Sequence, residues 1–166
     1  FTILITLYSV MEEALTAINF ALDTHLMLEN EISIKWKIKP HPLTNKNKLI
    51  ASLGRCLPES WEWVDKDFHE SLDDVDVLMG NSSTTCVEAL AREKYVIIIG
   101  NLYGITHNPI PSSVPHYLWG ICYSPLEASG VLKHCANEVV GVKSDTSVRS
   151  SFFEPLTHEG ILGLLF

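Results

Sequence analysis

Asp76-Val77-Leu78-Met79-Gly80-Asn81-Ser82-Ser83-Thr84-Thr85-Cys86-Val87-Glu88-Ala89-Leu90, followed by Lys94-Tyr95-Val96-Ile97, is the stretch on which the reading of this chain turns. Asp76 to Met79 is a short apolar run bounded by turn formers, the pattern of a buried strand. Gly80 to Thr84 is a polar turn large enough to hold a phosphate, Thr85 to Glu93 reads as a helix, and Val96 to Ile99 as a second, strongly apolar strand. Strand, turn, helix, strand is half of a dinucleotide-binding unit.

The same alternation continues outward on both sides. Ile3 to Leu7 reads as a strand, and Glu12 to Glu29 sets Ala14, Leu15, Ile18, Ala21, Leu22, Leu26 and Leu28 near the period of an amphipathic helix. Ile32 to Lys39 alternates Ile32, Ile34, Trp36 and Ile38 with Ser33, Lys35, Lys37 and Lys39, which predicts a half-buried strand stopped by Pro40 and Pro42. A short helix over Lys46 to Leu53, a strand over Trp61 to Val64 and a brief helix over Asp67 to Leu72 lead back to Asp76. Beyond Ile99, the prolines, glycines and Asn/His turn formers of Gly100 to Pro115 predict a long surface loop. A sixth strand over Leu118 to Tyr123, a helix over Pro125 to Cys135, and one or two helices from Asp145, broken at Pro155, complete the pattern. The fold class expected is α/β: a Rossmann-like three-layer domain with a parallel sheet of about six strands over residues 1–140, and a helical extension over 141–166.

Composition narrows the function. The chain has 166 residues, enough for one domain, and 20 acidic against 12 basic residues give a net charge of -8 with no Lys/Arg run. A polyanionic backbone would be repelled, so no nucleic-acid partner is expected. The 4 cysteines show no C-x-x-C spacing and read as buried thiols of a reducing cytoplasm. The 7 histidines lack helical i, i+3 or i, i+4 pairing, so no metal site and no cofactor are expected. No apolar run approaches the ~20 residues of a membrane span, so a transmembrane segment is not expected. The apolar start and finish of the chain, without an initiator Met, read as cuts from a larger protein.

Two motifs carry candidate chemistry. In Lys39-Pro40-His41-Pro42, two prolines fix the backbone and project the His41 imidazole from a strand end, where open α/β sheets bind ligands; the plain alternative is a strand stop with an exposed His. Then, 41 residues later, Ser82, Ser83, Thr84 and Thr85 gather hydroxyls at a helix N-terminus, suited to a phosphate or, more simply, to an N-cap. Thr85-x-x-Glu88 fits a capping box, and Glu88 could instead accept hydrogen bonds from a ribose diol. Asp65, Lys66 and Asp67 follow the third strand, where a nucleoside would lie if its phosphate sat between His41 and Ser82; a solvated turn is the alternative. In the long loop, His107, Asn108, Ser112, Ser113 and His116 are positioned to meet an acceptor or another lobe, although their spacing specifies neither.

Together the Pro-His-Pro strand end and the Ser-Ser-Thr turn resemble the His-Pro and Ser-Ser/Thr motifs of GT-B glycosyltransferases that use CMP-sialic acid. They are similar also to CDP-glycerol-type polymer transferases and bacterial capsule transferases. The likeness covers about Phe1 to Asn137 and implies the carboxyl-terminal, donor-binding lobe of a two-lobed enzyme, with the amino-terminal acceptor domain absent from this chain. It further implies that His41, Ser82, Ser83 and Thr84 bind the donor phosphate, with His41 also catalytic through stabilisation of the departing anion and no metal required. Asp65, Lys66 and Glu88 would hold the nucleoside. If His41 acts as imidazolium, affinity should rise as pH falls through a value near ~6.5. The implied substrate is a nucleotide-sugar donor, CMP- or CDP-linked, and the implied acceptor a glycan or lipid-linked glycan of surface polysaccharide or lipopolysaccharide synthesis. The implied placement is cytoplasmic, peripheral to the inner face of the membrane. The sequence departs from the branch with a Glu-x7-Glu pattern, since positions 80 and 96 are Gly and Val. Other readings are a CDP-glycerol-type polyol-phosphate transferase, a UDP-sugar 2-epimerase-like protein and a non-catalytic flavodoxin-like binding module.

Overall fold

A computed structural model describes residues 1–138. The helical extension expected over 141–166 lies outside the described residues. In chain order the elements are β1 (Thr2–Thr6), α1 (Met11–Leu28), β2 (Lys35–Lys39), α2 (Lys46–Ser52), β3 (Glu62–Trp63), α3 (Phe68–Ser71), β4 (Val77–Gly80), α4 (Thr84–Ala91), β5 (Tyr95–Ile99), a 3-10 turn (His116–Leu118), β6 (Trp119–Cys122) and α5 (Pro125–Glu138). The six strands are all parallel, in the order β3-β2-β1-β4-β5-β6. This is the doubly wound dinucleotide-binding order; a flavodoxin-like sheet runs 2-1-3-4-5, so the flavodoxin-like alternative does not have this topology.

Side-chain alternation builds the three layers. Ile3, Ile5, Trp36, Ile38, Val77, Met79, Ile97 and Ile99 turn to one face, where the Ala14, Ala17, Ile18 and Ala21 stripe of α1, Leu49 of α2 and Ala128 and Leu132 of α5 cover them. Leu4, Leu78, Val96 and Ile98 turn to the other, against Cys86, Ala89 and Leu90 of α4 and Ile110 and Val114 of the long loop. At the β3 edge the Trp36 and Trp61 rings stack at 5.1 Å, with the His25 ring edge-on to both at 5.8 and 5.7 Å.

Three expectations from the sequence, one of strand extent and two of burial, are not met. Residues 32–34 are not strand, because Ile32 N–H still donates to Leu28 O as the chain turns off α1. Lys37, placed outward by the alternation, is 6% exposed: its ammonium crosses the second face to pair with Asp74. Of the cysteines, Cys86, Cys122 and Cys135 are buried, whereas Cys56 is exposed. Burial pushes the Cys86 and Cys122 thiols each up to about 11, so both stay protonated at neutral pH. Among the described residues no helix is long and apolar enough to cross a membrane.

Candidate functional site

The chain leaves β1 toward β2 on one side and, after β3, crosses back to place β4 on the other. Where the order reverses, the carboxyl ends of β1 and β4 diverge, and open α/β sheets bind ligands in that crevice. Here Thr6 is in register with Lys39 on one side and Gly80 on the other. A cleft of about 380 Å³ opens above them. Its walls are Thr6 to Ser9 after β1, Lys39 to Pro42 after β2, Asp67 and Phe68 at the start of α3, and Asn81, Ser83 and Thr85 after β4.

Gly80 is a structural requirement of this floor. A Cβ at position 80 would fall on Thr6 Oγ1 and come within 3.1 Å of Thr6 O, so only glycine lets β1 and β4 close here. On the opposite wall, His41 Nδ1 accepts the Leu43 N–H at 3.2 Å. That bond uses the Nδ1 lone pair and leaves Nε2–H as the free donor of a neutral His41. Lys39, the last residue of β2, lines the cleft beside it.

The third wall is the N-terminus of α4. Ser83 is the N-cap, with extended backbone, and its hydroxyl accepts the Thr85 N–H at 3.4 Å. The first amides of a helix have no intrahelical acceptor and sit at the positive end of its dipole, so an anion is favoured there. Asn81 Oδ1 and Thr85 Oγ1, both on residues lining the cleft, are buried without a hydrogen-bond partner.

The expected site residues separate into groups. His41 and Ser83 share the cleft. Ser82, one residue away, turns its hydroxyl to His107 Nδ1 at 3.0 Å, and Thr84 is exposed outside the lining. With Ser83 as cap, the third helical residue is Cys86, so the expected Thr85–Glu88 capping box does not form. Glu88 instead lies 3.7 Å from His69 Nε2. Asp65 and Lys66 line a second cavity, of about 250 Å³, at the β3 edge with Lys37, Glu62, Glu70 and Asp74. Asp67, considered with them, N-caps α3 through the His69 N–H at 2.9 Å and faces the first cleft. In the loop, Asn108 is committed to the Ile110 N–H at 3.0 Å and the His116 ring lies tilted against Trp119 at 4.8 Å. Ser112 and Ser113 are exposed.

Sequence reasoning missed Thr6, Tyr8, Ser9 and Lys39 as cleft residues. The available signal was positional: in a sheet that reverses at β1, whatever follows β1 and ends β2 borders the crevice.

No family model matches the chain, and no curated protein matches it. Solved structures do. TarM superposes with a TM-score of 0.67 at 12% identity, over 99% of this chain and 34% of TarM. The Rossmann-like α/β fold with its all-parallel six-stranded sheet is thus shared with a part of TarM. CalG4, the calicheamicin glycosyltransferase, superposes with a TM-score of 0.56 at 15% identity over 90% of this chain and 35% of its own. The beta Kdo 2,4 transferase KpsC of Thermosulfurimonas dismutans gives a TM-score of 0.42 at 18% identity over 60% of this chain and 33% of its own. The chain thus spans about a third of the length of the solved proteins it matches.

Proposed function

We propose that this chain is the donor-binding lobe of a metal-independent glycosyltransferase that draws on a nucleotide-activated sugar for surface polysaccharide or lipopolysaccharide synthesis. One observation carries the reading: at the topological switch point, His41, Lys39 and the N-terminus of α4 line a single cleft. Three cationic or N–H donor groups around one space suit the phosphates of a nucleotide. The fold shared with a part of TarM supports the reading by analogy, since a fold alone does not fix a function.

In the reaction so proposed, the bond from the anomeric carbon to the donor phosphate oxygen breaks and its electron pair leaves with the nucleotide. The acceptor hydroxyl oxygen bonds to the same carbon, and its proton passes to a base on the missing amino-terminal lobe. His41, Lys39 and the α4 amides stabilise the charge that grows on the departing phosphate. His41 can do this as the neutral Nε2–H donor that its Leu43 bond selects, so imidazolium is not required of it. Asp65 and Lys66 belong to a separate cavity, and a nucleoside would have to span to it from the cleft; Glu88 is turned toward His69. A CMP- or CDP-linked donor on a protein peripheral to the cytoplasmic membrane face is the specific form of the proposal, and transfer of a CDP-linked polyol phosphate would use the same cleft.

Calorimetric titration with CMP, CDP, UDP and GDP tests it. Saturable binding of one nucleotide is expected, weakened about tenfold by His41→Ala, the effect of losing about 1.4 kcal/mol of charge-assisted hydrogen bonding. A folded chain that binds none of the four contradicts the proposal.

A further inference from the structure

The hydroxyl of Ser82 is a single donor with two acceptor positions, and it sits 3.0 Å from His107 Nδ1. Only one hydrogen lies on that line. If Nδ1 is bare, Ser82 spends its proton on His107 and shows the phosphate turn nothing but lone pairs. If Nδ1 carries a hydrogen, Ser82 accepts from it and its own O–H is released toward an anion held by the turn.

We propose that His107 is a positioning residue for the phosphate turn, which by donating from Nδ1 to Ser82 turns the Ser82 O–H toward a bound anion. The inference rests on the nucleotide-phosphate reading of the cleft. The loop that supplies His107 is suited to such a role, because residues 95–126 contain no Asp, Glu, Lys or Arg. From β5 through the start of α5, therefore, no fixed charge competes with that imidazole. His116, in the same stretch, packs its ring against Trp119. From the other elements around the turn, the titratable groups are His41 and Lys39 after β2, Tyr8 after β1, Asp67 at the N-cap of α3, and Glu88 of α4, which faces His69. The loop is anchored for the purpose by its own turns: Asn101 N–H donates to Thr106 Oγ1 at 2.8 Å and Ile110 N–H to Asn108 Oδ1 at 3.0 Å, one on each side of His107.

An anion on the turn favours the form of His107 that carries hydrogen on Nδ1, whether the neutral Nδ1–H tautomer or the imidazolium. The experiment is the nucleotide titration, with CMP, CDP, UDP and GDP, from pH 5.5 to 8 on the chain and its variants. Each variant is read as a ratio to the parent at the same pH, so that ionisation of the ligand cancels. His107→Asn places an amide N–H where Nδ1–H would be and should keep the parent's affinity across this range. His107→Ala should bind severalfold weaker at pH 5.5, and Ser82→Ala should abolish the difference between His107→Asn and His107→Ala. His107→Asn binding as weakly as His107→Ala, or equal effects of the His107 variants with and without Ser82, overturns the inference, while binding that still depends on His41 preserves the cleft reading. Absence of nucleotide binding by the folded parent overturns both.

Discussion

At the scale of single residues, Gly80 and Thr6 decide whether the cleft has its shape. Gly80→Ala puts a methyl onto Thr6 Oγ1 and against Thr6 O, an overpacking cost of about 1–3 kcal/mol in urea unfolding. Adding Thr6→Ala removes the hydroxyl half of that clash, so the double variant should recover part of the loss. Equal stability of Gly80→Ala and parent, or strictly additive effects of the two changes, would show that the close approach is not real. His41 was legible in the sequence because two prolines pin it at a strand end. Lys39 was not, since a strict period of two places every lysine of Ile32 to Lys39 on the solvent side and says nothing of which strand end borders the crevice.

Among the elements, α4 offers a way to separate capping from ligand binding. Ser83→Asp keeps a good N-cap and a charge that the helix dipole favours, so stability should hold within about 0.5 kcal/mol, whereas Ser83→Ala should lose about 1 kcal/mol. The aspartate, however, puts a negative charge on the wall of the cleft. Nucleotide binding should fall at least tenfold in Ser83→Asp despite its intact fold, and unchanged binding there would detach the α4 terminus from the phosphate. The start of α4 was read late in the sequence because Ser82, Ser83, Thr84 and Thr85 are all competent caps; only the backbone selects Ser83.

In β2, Lys37 is the buried exception, and Asp74 is what makes its burial tolerable. The hydrogen bond from Lys37 holds the Asp74 carboxyl below its ordinary range. A depressed carboxylate stabilises the fold above its unfolded value of about 3.9 and loses that contribution as pH falls through the lower folded value. Asp74→Ala should cost about 1–3 kcal/mol at pH 7 by leaving the ammonium unpaired, with the difference from the parent shrinking as pH falls below the unfolded value of about 3.9. Lys37→Met should be neutral or stabilising. Chemical unfolding at pH 7 and pH 3 checks both; a Lys37→Met chain less stable than Asp74→Ala would contradict this account of the pair.

At the scale of the whole molecule, the layer architecture was legible because each periodic segment names its own element and parallel strands need helical crossovers. Boundaries shifted by one to three residues where the pattern extends past the hydrogen-bonded ladder, as at Ile32 to Ile34. What alternation could not supply was the strand order. The order β3-β2-β1-β4-β5-β6 is what brings His41 and Ser83 into one cleft and leaves Asp65 and Lys66 in another. It also brings His107 from the long loop onto the phosphate turn, a contact 25 residues apart that no spacing rule encodes.

The central claim, that nucleotide phosphate occupies the switch-point cleft, is tested most directly by amide and imidazole NMR on the isotope-labelled chain as nucleotide is added. The account predicts that the largest shifts fall on the Ser83 and Thr84 amides and on the His41 ring. Shifts confined to the Asp65, Lys66 and Glu70 cavity, or no shift in a folded chain at millimolar nucleotide, would contradict it.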